Sequence, residues 1–216
     1  MRNKFDAMLN QLNTEVMVMG EMIQSAIQSA VTAFLAQDAE TAKIIMDGDE
    51  EVDSQQKRIE NLCFQLLIQQ QPVARDLRMI TAAMKMVTDM ERIGDHGADI
   101  SELTLLMSSS PYPEEIRLIE EMAKETSVMV IDAVDAFAQQ DSEKAQQVID
   151  NDDKVDEIFV SVKNAIAESV RGGCPDPMQE LDLLMVAKYL ERIGDHATNI
   201  AEWVLFAVTG DFRRVQ

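Results

Sequence analysis

The chain has 216 residues, 46% of them apolar, and a formal charge of −20 at pH 7. The apolar share supports a packed core and excludes a disordered chain. The charge repels nucleic-acid phosphates and anionic lipid, and leaves divalent cations or a basic protein as suited partners.

Only 8 Gly, 5 Pro and 5% aromatic residues stand against 15 Met, which favours helices over sheets. Six long helices are predicted. The first runs from about Lys4 to Ala36. Asp38 caps the second, which continues to about Gln70. Pro72 opens the third in its first turn, and that helix reaches about Met107. The segment from Ser108 to Pro113 is a linker. A fourth helix spans about Glu114 to Ala138, and Asp141 caps a fifth. The segment from Gly172 to Pro177 is the next turn, and a sixth helix runs from about Met178 to Val208. Cys63 and Cys174 are isolated and read as reduced thiols. The N-terminus is polar by Asn3, so no leader is expected. No apolar run approaches the roughly 20 residues of a membrane span. A soluble cytoplasmic protein is expected.

Glu91-Arg92-Ile93-Gly94-Asp95-His96 recurs without change as Glu191-Arg192-Ile193-Gly194-Asp195-His196. Ala33-Phe34 with Asp38 likewise matches Ala136-Phe137 with Asp141. Asp49, Val52 and Asp53 match Asp152, Val155 and Asp156. The chain is therefore two copies of one unit, with domains expected at 1–108 and 114–216. The stripe Met79, Ala83, Met86, Met90, Ile93, Gly97, Ile100 alternates steps of three and four, as a bundle seam requires. Leu183, Val186, Leu190, Ile193, Ala197 and Ile200 repeat it. The fold class is all-α, two tandem three-helix bundles.

Four acidic pairs lie four residues apart: Asp49 with Asp53, Glu91 with Asp95, Asp152 with Asp156, and Glu191 with Asp195. Each pair shares a helix face, where like charges repel. Asp53 and Glu91 are equally far along the chain from Pro72, as are Asp49 and Asp95. An antiparallel hairpin turning at Pro72 brings these four together at two adjacent levels. The second copy gives the same register about a turn between Gly173 and Cys174. All eight are candidate metal ligands, on an outer seam beside the core stripe. Clustered carboxylates cannot all stay ionised unaided, and a cation removes the conflict. All-oxygen donors suit Mg²⁺, Ca²⁺, Mn²⁺ or iron. Asp99 and Asn199 continue the face and are weaker candidates. His96 and His196 point off the seam and are expected to pack beside the site rather than ligate. Arg92 and Arg192 are expected to pair with nearby acids.

At these residues the chain resembles the PhoU family of bacterial phosphate-uptake regulators, whose hallmark is a pair of E(D)xxxD motifs in each half. Gln71-Pro72-Val73-Ala74-Arg75-Asp76-Leu77-Arg78 resembles that family's opening of the third helix, and Asn199-Ile200-Ala201-Glu202 its ending. The resemblance implies one multinuclear metal cluster per repeat; iron, zinc, manganese and magnesium all occur in that family, so it does not fix the metal, and iron or zinc is expected here ahead of manganese or magnesium. It implies a cytoplasmic adaptor that couples the ATPase of the phosphate ABC transporter to its sensor histidine kinase. Such an adaptor keeps the phosphate-starvation response off when phosphate is plentiful. A homodimer is expected, with membrane contact only through protein partners. Asn199, where the first copy has Asp99, departs from equal occupancy of the two clusters.

No nucleophile–base pair, phosphate-binding glycine loop or nucleotide motif is present, so a non-enzymatic role is expected. A di-iron oxidase or iron-storage bundle needs Glu-x-x-His pairs facing a core; here His follows Glu by five. The remaining alternative is a metal-free helical interaction module.

Overall fold

A computed structural model describes residues 2–48, 50–70, 72–108, 111–113 and 116–211. Asp49, Gln71, Ser109, Ser110 and Glu114, which carry parts of the sequence reading, lie outside the described residues. The helices are α1 (Arg2–Ala36), α2 (Ala39–Asp47), α3 (Glu50–Gln70), α4 (Ala74–Met107), α5 (Ile116–Gln139), α6 (Ser142–Gly172) and α7 (Pro177–Thr209). Among the described residues none is long and apolar enough to cross a membrane.

Local chemistry sets the helix ends. Asp38 and Asp141 are N-caps, and each carboxylate accepts from two backbone N–H groups of the following turn at 2.9–3.1 Å. Just before each cap, Gln37 and Gln140 take left-handed conformations with φ of 55° and 53°. The amide of Asp38 donates to the Ala33 carbonyl and that of Asp141 to Ala136, at 2.8 and 2.9 Å. Both first helices thus end in the same Schellman turn, built on glutamine instead of the usual glycine.

Two expectations about helix ends need correction. Pro72 is not in the first turn of its helix, because Val73 is the N-cap and α4 begins at Ala74. Pro177 takes that first-turn place in α7, behind the Asp176 cap. The predicted second helix is interrupted: α2 stops with Gly48 as its C-cap and α3 resumes at Glu50. Its counterpart α6 runs unbroken with Asn151 at the matching position. Glycine costs about 1 kcal/mol in a helix interior relative to alanine, which makes position 48 the weaker of the two.

Every residue of both predicted heptad stripes is buried. In the first half α1 packs on α2, α3 and α4; in the second, α5, α6 and α7 pack on one another. The halves meet through α4 against α7 and α1 against α5. Asp89 bonds His196, and His96 stacks on Tyr189, so α4 and α7 run antiparallel. One hydrophobic core runs through both halves.

Candidate metal centre

The hairpin register expected from the turn positions is present. The Cys63 thiol reaches the Ile80 carbonyl across α3 and α4 at 3.8 Å. In the second hairpin Asp152 Oδ1 lies 3.6 Å from where a Cβ on Gly194 would stand. The acidic turn of α6 thus lies against α7 at van der Waals distance from position 194.

In the first half the structure brings Asp53, Glu91 and Asp95 around one guanidinium. Arg92 Nη1 donates to Asp95 Oδ2 at 2.8 Å, and its Nε lies 3.5 Å from Glu91 Oε2. Glu91, then Asp95, and at longer range Asp53 hold the Arg92 pKa above its ordinary value. Asp53 also faces the Lys57 ammonium at 3.8 Å. This pairing of Arg92 matches the sequence expectation. Asp49, the fourth acid, is outside the described residues.

In the second half Asp152, Asp156, Glu191 and Asp195 act on one another electrostatically. Burial, followed by the charges of Asp195 and Asp156, pushes the Asp152 carboxyl up to about 6. Asp195 is raised by burial and then by Glu191, with Lys188 opposing. Lys188 forms an ion pair with Glu191. The two seams therefore balance their charge differently, with Arg92 in one and Lys188 in the other. Arg192 departs from expectation, since it has no ion pair among the described residues and faces Tyr189 and His96.

Among the described residues no three His, Cys, Asp or Glu side chains stand as a closed set ready to hold a metal ion. The acids converge on each seam, but arginine and lysine occupy part of the space between them. The donor chemistry still fits a hard cation. The groups are all oxygen and on open seams, with Asp53, Glu91, Asp95, Asp152 and Glu191 half-buried and Asp156 and Asp195 exposed, and at Asp152 ionisation is opposed by its neighbours.

Asp99 and Asn199 turn elsewhere. His96 Nδ1 donates to Asp99 at 3.0 Å, and Asn199 Nδ2 donates to Asp89 at 3.2 Å. His196 Nδ1 donates to the same Asp89 oxygen at 2.8 Å. The two imidazole rings are 5.8 Å apart. This polar cluster lies between α4 and α7, and His196 also acts electrostatically on Asp195. Burial lowers the His96 pKa against the opposing pull of Asp99, which favours a neutral packing role. Asp89 and Lys188 escaped the sequence reading because the repeat has Tyr189 and Thr88 at those positions. The spacing of three between Lys188 and Glu191 was the available signal for the second.

The PhoU domain family model matches residues 16–104 and again 119–204. A PhoU homolog of Clostridium acetobutylicum, named a phosphate-specific transport system accessory protein, is 34% identical over 97% of this chain and 96% of its own length. The PhoU of Escherichia coli K12, named in the same way, is 32% identical over 98% of this chain and 88% of its own. Crystal structures of PhoU from Pseudomonas aeruginosa and of the phosphate transport system regulatory protein PhoU from Streptococcus pneumoniae superpose with TM-scores of 0.93 and 0.90. They are 28% and 26% identical and cover 96% of this chain, with 100% and 98% of their own lengths matched. Two matched copies of one domain, joined as the duplicated acidic motif requires, place this chain in the PhoU family.

Proposed function

We propose that this protein is a cytoplasmic regulator of phosphate transport and phosphate-starvation signalling. It acts as an adaptor between the ATPase of the phosphate ABC transporter and the sensor histidine kinase, and it restrains the starvation response when phosphate is plentiful. The observation that carries this reading is the near full-length similarity to accessory proteins of the phosphate-specific transport system. The surface suits such a role, since a charge of −20 favours docking against basic protein faces. No enzymatic step is part of the proposal. An affinity pull-down from membranes of phosphate-replete cells tests it, with the transporter ATPase and the kinase as expected prey. Recovery of neither overturns the adaptor reading.

The second part of the proposal is that each seam binds divalent or higher-valent cations. Asp49, Asp53, Glu91 and Asp95 would hold them in the first repeat, and Asp152, Asp156, Glu191 and Asp195 in the second. Iron, manganese or magnesium fit the all-oxygen donors, and zinc also accepts carboxylates. The bound charge would take over the balancing now done by Arg92 and Lys188 and stiffen each helix pair. Protein purified without chelator should carry metal, and the Asp53→Ala, Glu91→Ala double variant should lose about half of it by elemental analysis. Unchanged metal content refutes this ligand set. Metal-free wild-type protein that still binds the ATPase leaves the module as a helical docking surface alone.

A further inference from the structure

The two repeats differ at a place that the acidic motifs do not mark. A cavity of about 440 Å³ opens in the first half, lined among the described residues by α1, the end of α2 with Gly48, the start of α3, and α4. Met22, Ala26, Gly94 and Ala98 line its apolar part, and Glu21 and Glu51 stand at its margin. The helices of the second half match those of the first residue by residue, so each lining position has a counterpart. Ala26 becomes Met129, Gly48 becomes Asn151 and Ala98 becomes Thr198. Met129 is 1% exposed, and its sulfur lies 3.9 Å from the Cβ position above Gly194. The methionine fills the space that alanine leaves open above Gly94.

The charges are exchanged as well. Glu21 is replaced by Lys124 and Glu51 by Lys154, while Met22 is replaced by Glu125. Lys154 Nζ pairs with Glu125 Oε1 at 2.8 Å. The second repeat thus places its own ammonium group at the position where the first has Glu51. Glu21 and Glu51 have no ion pair among the described residues. Among the described residues the first repeat has the walls, the margin carboxylates and the open volume, without the cation.

The geometry points to this cavity as a docking site for a long basic side chain, arginine or lysine, presented by a partner protein. Its aliphatic stem would lie on Met22, Ala26 and Ala98, and its charged head would sit between Glu21 and Glu51. An anionic ligand is disfavoured by those two carboxylates and by the overall charge. A wholly apolar ligand would desolvate them without compensation. The volume falls within the range of small-ligand pockets. That the side chain belongs to a protein rests on the adaptor reading; the chemistry of the cavity does not.

The test uses the full chain labelled at its methionine methyl groups, with the Met22 signal assigned through Met22→Leu. The probe is N-acetyl-arginine methylamide, compared with the neutral isostere N-acetyl-citrulline methylamide. The Met22 signal should shift saturably with the arginine probe and much less with citrulline, while Met129 stays in place. Glu51→Gln should weaken the response about threefold, and Ala26→Met should abolish it. Should Ala26→Met fail to fold by circular dichroism, the Glu21→Gln, Glu51→Gln double variant takes its place. An unmoved Met22 signal, or equal shifts with both probes, overturns the proposal. A second arm measures binding of purified transporter ATPase. Binding by wild type that is lost in the Ala26→Met protein supports the site, and equal binding by both overturns it as the docking point. Absence of binding by wild type counts against the adaptor reading, and the methyl titration then decides the cavity independently.

Discussion

Asp152 bears much of the electrostatic strain of the second seam. Its folded pKa of about 6 lies above the ordinary 3.8 because of burial and the adjacent Asp195 and Asp156. The folded state therefore holds this proton more tightly than the unfolded state does. The resulting stabilisation is complete below about pH 4 and is lost as the pH rises through about 6. In chelator-treated protein, Asp152→Asn should be the more stable form above pH 7 by about 1–2 kcal/mol, after allowing for solvent screening of a part-exposed group. That advantage should vanish near pH 4 in urea titrations. Wild type and variant with the same pH slope would show that Asp152 does not carry this repulsion. At this scale the sequence was informative about the acids themselves, because spacing of four places side chains on one face whatever the tertiary fold. It was uninformative about Asp99 and Asn199. Those lie on a similar face but find His96 and Asp89 across the α4–α7 contact, and that contact cannot be read from one helix alone.

Helix pairing was legible wherever the period was long. Both core stripes and both hairpin registers could be read from apolar spacing and from equal distances about a turn. The break at Gly48 was not legible, since one glycine in a strongly periodic segment shifts the balance by only about 1 kcal/mol. The crossing of α1 over α5 was equally hidden, because its signal is a single small residue. A Cβ placed on Gly20 would overlap Val134 Cγ1. Gly20→Ala should therefore destabilise the protein by about 1–3 kcal/mol through overpacking, despite alanine's better helix propensity. Adding Val134→Ala should recover part of the loss in urea unfolding curves. A stabilised Gly20→Ala protein would show that the two helices separate at no cost.

The core joins both halves into one packed body. Although the sequence reads as two domains, α4 and α7 form an extended contact along most of their lengths. Unfolding should accordingly be a single cooperative event. Trp203, the one tryptophan, lies in α7, so its fluorescence reports on the second half, whereas far-ultraviolet circular dichroism reports on all helices. The two urea transitions should coincide in midpoint and slope. A tryptophan transition displaced from the helical one would mean that the halves unfold separately.

The antiparallel crossing of α4 and α7 has a further consequence. It relates the duplicated units by an approximate dyad, the arrangement that two separate copies of a half-length ancestor would adopt on self-association. In such an ancestor every mutation would have appeared twice, once on each side of the axis. Tandem fusion removed that constraint, and each unit became free to specialise while the other kept the inherited form. Lys188 standing where the first unit has Thr88, and Asn199 where it has Asp99, are substitutions that only a fused chain can hold in single dose.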